Sequence, residues 1–160
     1  LNYYEKCMVI RRAIISEFSD ELANVYNNIG NTLDSLERYS EAIDFYEKAI
    51  DIFQRVHGNY HPKLAAVYNN ISNYWKHLDN PQKRIVYLHL SEKVMAKSCK
   101  SNDLMFISLN RNLGGAYHQI NEREKAFQYF THAHNLSLAE FGENHGYTKA
   151  LAFVLKKWKK

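Results

Sequence analysis

The heptapeptide VYNNIGN at Val25–Asn31 returns as VYNNISN at Val67–Asn73, 42 positions later. The register extends well beyond those seven residues. Without a gap, NYYEKCMVIRRAIISEFSDELANVYNN (2–28) lies over DFYEKAIDIFQRVHGNYHPKLAAVYNN (44–70). A third copy, MFISLNRNLGGAYHQ, places Asn112, Leu113 and Gly114 where the first has Asn28, Ile29 and Gly30 and the second Asn70, Ile71 and Ser72. A period of this length means one supersecondary unit stacked on its own copies, with the core buried between neighbours.

Each copy alternates two amphipathic helical patterns. Between Asp20 and Leu36, residues Leu22, Val25, Tyr26, Ile29, Leu33 and Leu36 follow the three–four spacing of one helix face. ERYS then makes a turn, with Ser40 expected as the N-cap. The next helix, Glu41 to Val56, has its own apolar face built on Ala42, Phe45, Tyr46, Ala49 and Phe53. Gly58 supplies a residue able to end it, and Pro62 stands in the first turn of the following helix, where a missing N–H is harmless. Asp79-Asn80-Pro81 gives a similar entry inside the second copy. The pattern predicts an all-α ladder of antiparallel helix pairs forming one domain over 1–160. Its parts are the second helix of a truncated repeat (1–18), repeats at 19–60, 61–102 and 103–144, and a C-terminal capping helix (145–160).

The spacing Tyr26-x2-Ile29-Gly30-x2-Leu33, then Ala42-x3-Tyr46-x2-Ala49, resembles the tetratricopeptide repeat signature. Copy three repeats it as Leu113-Gly114-x2-Tyr117, then Ala126-x3-Phe130-x2-Ala133. Small residues let the two helices approach while the large ones fill the space around them. The usual unit is about 34 residues long; a longer one with NN in its first helix and G-x2-HP before the next looks like the kinesin light chain type. Armadillo and HEAT repeats share the length but lack this Gly/Ala pattern. The resemblance implies a right-handed superhelix (solenoid) whose first helices line an inner, concave surface.

Copy two departs from the pattern, with Ser72, Arg84, Leu88 and Ser91 where copy one has Gly30, Ala42, Tyr46 and Ala49. An arginine at a close helix contact should loosen that hairpin or lean its stem outward, and the two helices of copy two are predicted to be more splayed than their neighbours. At the N-terminus, Tyr3, Tyr4 and Met8 on a helix from Asn2 to about Ser16 lack a preceding partner, which leaves an apolar face open to self-association. The last helix, HGYTKALAFVLKKWKK, is expected to cap the array with a polar outer side. The chain begins at Leu1, as a segment of a longer protein would.

Charge excludes one class of partner. The net +4 comes from Lys156, Lys157, Lys159 and Lys160; without them 17 basic residues balance 17 acidic ones. A neutral body with a basic tip lacks the footprint of a nucleic-acid binder. No apolar run is long enough for a membrane span. Cys7 and Cys99, too few and too distant for a disulfide framework, fit a cytoplasmic protein.

No catalytic motif is present, so neither an enzyme nor a cofactor is expected. No metal site is expected either: His132 and His134 point to different helix faces, and Gly58 breaks the helix between His57 and His61. What remains is the asparagine register. Asn28, Asn70 and Asn112 line up one per repeat, beside Asn27, Asn69 and Arg111, with Asn31 and Asn73 a turn further on. Asparagine is a mediocre helix former, but its amide offers both a donor and an acceptor to a peptide backbone. In the resembled kinesin light chain repeats, the matching asparagines line the groove that binds short cargo peptides. Lys76, Arg111 and His118 are the basic neighbours, opposed by Asp34, and the end at copy three is where a carboxylate is expected to anchor. The expected function is a non-enzymatic module binding a peptide segment of a protein partner. The alternative is a scaffolding, oligomerisation or regulatory segment of a larger protein, in which the asparagines only pack the repeats.

Overall fold

The computed structural model describes Lys6, residues 19–98 and residues 104–158. The expected first helix, with Tyr3, Tyr4 and Met8, lies outside the described residues, apart from the helical, exposed Lys6. The described residues form seven helices and no strand: α1 (Asp20–Ser35), α2 (Tyr39–His57), α3 (Pro62–His77), α4 (Pro81–Ser98), α5 (Leu104–Gln119), α6 (Arg123–Phe141) and α7 (Gly146–Trp158). Helices α1/α2, α3/α4 and α5/α6 pair as hairpins, and the second helix of each pair packs on the first helix of the next unit. Helices α1 and α3 also touch directly.

Local chemistry sets the helix ends. The Ser19 side chain accepts from the Leu22 N–H at 3.3 Å, and Asp20 and Glu21 sit in the first turn, where acidic groups oppose the helix dipole. Ser40 is not the cap of α2: the helix starts at Tyr39, behind Arg38. The difference comes from the preceding turn, where Glu37 adopts φ 60° and ends α1 in a left-handed residue. Asp79 (φ 48°) and Asn121 (φ 60°) do the same at the equivalent positions of the other hairpins. Each turn closes with one backbone bond across it: Arg38 N to Leu33 O at 2.9 Å, Asn80 N to Trp75 O at 2.9 Å, and Glu122 N to Tyr117 O at 3.0 Å.

Inside each hairpin, one contact decides how closely the helices approach. In the first, the absent Cβ of Gly30 makes room for the Tyr46 ring; in the third, Gly114 does so for Phe130. At the equivalent positions of the second stand Ser72 and the smaller Leu88, both fully buried. The pair therefore exchanges volume between partners rather than losing it. Ser91 is buried too, and its hydroxyl donates to the Ala65 carbonyl at 2.9 Å.

The predicted splay of the second hairpin is not observed: α3 and α4 pack as extensively as the helices of the other pairs. Arg84 does not lean outward. It is only 5% exposed, and it passes under the next hairpin to donate from Nη1 to Gln119 Oε1 at 2.9 Å. Its guanidinium lies over Gly115, with Nη2 3.8 Å from where a Cβ would be. The charge is absorbed between repeats, on Gln119, instead of prising one open.

Helix α7 covers the last hairpin through Leu151 and through Thr148, whose hydroxyl meets Ser137 Oγ at 2.9 Å. Trp158 closes on Phe130 edge-on, with ring centroids 5.8 Å apart. The outer side is less polar than expected. Phe153 is 60% exposed there, with the Lys157 ammonium 4.7 Å above its ring.

Candidate recognition surface

The first helices α1, α3 and α5 each present one copy of the asparagine pattern, and stacking places those copies within bonding distance. Asn70 Nδ2 donates to Asn27 Oδ1 at 3.1 Å and to Asn31 Oδ1 at 2.8 Å. One repeat later, Asn112 Nδ2 donates to Asn69 Oδ1 at 3.0 Å. Asn31 is also fixed from below, because the buried Tyr46 hydroxyl donates to its Oδ1 at 2.8 Å. Burial raises the Tyr46 pKa far above the ordinary tyrosine range, so the hydroxyl stays a donor.

Each junction amide thus turns its donor side toward the preceding repeat. The Oδ1 atoms of Asn70 and Asn112 and the Nδ2 atoms of Asn27, Asn31 and Asn69 have no hydrogen bond among the described residues. Asn28 is exposed and Asn73 half-buried, and neither side chain joins the relay.

The tetratricopeptide repeat profile matches residues 1–55 and again 21–83, together more than half of the chain. The chain belongs to the tetratricopeptide repeat family. A comparison with curated protein sequences gives no match. Among solved structures, BtubC (BKLC) from P. vanneervenii superposes with a TM-score of 0.78 at 23% identity, over 91% of this chain and 58% of that one. The chain therefore spans little more than half the length of that relative. A putative kinesin light chain with nearly identical TPR-like repeats from Podosopora anserina gives 0.80 at 13% identity, over 98% of this chain and 74% of that one. The first TPR of Spaghetti (RPAP3), bound to the HSP90 peptide SRMEEVD, gives 0.66 at 17% identity, over 91% and 96%. At these identities the likeness is one of fold: an all-α solenoid of helix pairs.

Around the asparagines, the tetratricopeptide array places charge unevenly. Asp34, Lys76 and His118 occupy one position in successive repeats, and Lys76 and His118 are exposed. Asp34 has a buried, unpartnered Oδ1, and desolvation raises its pKa against the pull of His77. Arg111 lies over the Tyr147 ring of α7 at 5.2 Å, and His118 meets the Trp158 ring edge-on at 4.8 Å. These two basic residues therefore share the C-terminal end of the face with aromatic partners that repeat arithmetic does not bring to them.

Arg84 is a further residue the sequence reading placed wrongly. Its Nε is buried without a hydrogen bond, and burial, then the charge of Arg111, holds its pKa below the usual arginine value. Beside Asn69 and Asn70 the surface dips into a recess of ≈ 320 Å³ walled by Ala66, Met95, Met105 and Leu109. Gly58 does break the helix between His57 and His61, as expected, yet the break does not keep the two side chains apart. Gly58, at φ 77°, ends the helix but folds the chain back, so that the two imidazoles stack 4.1 Å apart beside Asp20.

Among the described residues no helix is long and apolar enough to cross a membrane.

Proposed function

We propose that this array is a non-enzymatic protein–protein interaction module of the kinesin light chain type. Its first helices hold an extended peptide segment of a partner protein along a concave groove. The groove residues are Asn27, Asn28, Asn31, Asn69, Asn70, Asn73, Lys76, Arg111, Asn112 and His118. The observation that carries this reading is the cross-repeat amide relay through Asn70 and Asn112. It fixes side chains that would otherwise rotate, and leaves an unused acceptor or donor on each. Such preorganised amides can pair with a peptide backbone without an ordering cost at the moment of binding. The peptide-bound state of the Spaghetti domain, which shares the fold, supports the reading.

Magnitudes say what else the ligand needs. Each neutral hydrogen bond adds about 0.5–1.5 kcal/mol net, so a few backbone contacts alone give affinity only around the millimolar range. One aliphatic side chain entering the recess beside Asn69 and Asn70 adds about 1.5–3 kcal/mol. A carboxylate near Arg111 and His118 relieves the repulsion between Arg84 and Arg111. The ligand is therefore read as an extended segment with one apolar and one acidic side chain.

A peptide-library screen on the protein and on the Asn70→Ala, Asn112→Ala double variant tests this, with folding of both followed by circular dichroism and thermal melting. A motif selected by the parent and lost by the folded variant supports the groove. If nothing is selected, or both proteins select equally, the relay serves packing alone. Concentration-dependent dimerisation without a selected peptide would then favour the scaffolding alternative.

A further inference from the structure

The junction between the first two hairpins gathers side chains that peptide binding does not use. Asp20 opens α1, His57 closes α2, and His61 stands just before α3. Each offers one ligand atom, and the three atoms lie within 4.8 Å of one another. His57 Nε2 is 2.5 Å from Asp20 Oδ1, while Lys63 Nζ approaches the other carboxylate oxygen, Oδ2, at 3.6 Å. His61 Nδ1 is buried and has no hydrogen-bond partner.

The repeat supplies its own control. Two units further on, the equivalent positions are Leu104, Phe141 and His145. There Phe141 and His145 stack 4.3 Å apart at 23°, much as His57 and His61 stack at 4.1 Å and 13°. A ring on a histidine is thus a packing feature of the junction. A nitrogen-bearing ring at 57 together with a carboxylate at 20 is not, because the third junction packs with leucine and phenylalanine in those places.

We propose that Asp20, His57 and His61 form a site for a divalent transition-metal ion of the zinc class, clamping the first hairpin to the second. Two imidazoles and one carboxylate are a zinc donor set that leaves a fourth position for water. All-oxygen cations such as calcium and magnesium are disfavoured by the nitrogens, and copper(I) by the lack of thiolate or thioether. Bonds of about 2.0–2.2 Å in a tetrahedron set ligand atoms about 3.4 Å apart. His57 and Asp20 side chains are 33% and 32% exposed, so rotations at the surface can close that gap. On binding, the His57–Asp20 contact is exchanged for two bonds to the ion. The same junction is crossed by the bonds from Asn70 to Asn27 and Asn31, so the ion would also stiffen the groove.

The test is calorimetric titration of the metal-free protein with Zn²⁺, with Co²⁺ absorption reporting the coordination geometry. The expected result is one equivalent bound per chain, tetrahedral Co²⁺ bands, and a melting temperature that climbs with Zn²⁺ concentration. His57→Phe copies the third junction and keeps the stack; Asp20→Asn keeps the side-chain shape. Each should weaken binding about tenfold or more, while a His132→Ala, His134→Ala variant binds as the parent does. In the unmutated protein, Zn²⁺ should shift the imidazole NMR signals of His57 and His61 and leave the other histidines in place. Absence of saturable binding, binding that survives both His57→Phe and Asp20→Asn, or shifts spread over the other histidines would each overturn the site.

Discussion

Gly30 and Tyr46 share one space: a methyl group on residue 30 would lie 2.6 Å from Cε1 of the tyrosine ring. The same ring carries the hydroxyl that donates to Asn31 Oδ1 at 2.8 Å. Hairpin packing and the asparagine relay are therefore one construction, in which the glycine lets the ring in and the ring holds the amide.

Gly30→Ala is expected to destabilise the fold by about 1–3 kcal/mol through overpacking. Adding Tyr46→Leu should recover part of that loss, because the second hairpin buries Ser72 and Leu88 at the equivalent positions. Denaturant melts of both single variants and the double variant form the cycle. Simple additivity would show that the two positions do not share the space.

The neighbours Gly114 and Gly115 should respond with opposite sign. A Cβ at 114 would stand 2.8 Å from the Phe130 ring, whereas one at 115 meets only the Arg84 guanidinium, Nη2 at 3.8 Å and Nη1 at 3.9 Å. Gly115→Ala should stabilise by about 0.5–1 kcal/mol through helix propensity, and Gly114→Ala should destabilise. Paired thermal melts decide the matter.

At the first hairpin turn, Glu37 holds φ 60° where the third has Asn121. Asparagine tolerates the left-handed region better than glutamate. Glu37→Asn is expected to raise stability by about 0.5–1 kcal/mol, read from the denaturation midpoint at unchanged slope. A lower midpoint would mean that the side chain at 37 has a role that its backbone does not reveal.

Asp34 gives a pH dependence whose sign follows from its raised pKa. Below the ordinary value of 3.8 the carboxyl is protonated in both folded and unfolded chains, and no penalty arises. As the pH climbs through the raised folded value, the unfolded chain ionises first and stability is lost. Asp34→Asn should therefore match the parent in strong acid and exceed it increasingly toward neutrality. Melting temperatures across that range test it, and an advantage that shrinks with rising pH would be the wrong sign.

The period of 42 and the Gly/Ala spacing were enough to read helix pairs stacked in register, because those features report contacts within a single repeat. The equivalence of Asn28, Asn70 and Asn112 within the repeat followed from the same arithmetic, but not that Asn70 reaches Asn27 and Asn31 while the Asn28 side chain stands apart. Arg84 escaped it. Whether a stem at a helix contact leans out or passes under the next unit depends on a partner such as Gln119, 35 residues away and in another hairpin. The bonds of Asn70 to Asn27 and Asn31, and the meeting of Asp20 with His57 and His61, likewise join residues from different units. A repeat sequence determines each unit and the order of the units. Their mutual rotation, and with it every side-chain contact across a junction, is decided only when the neighbouring surfaces pack.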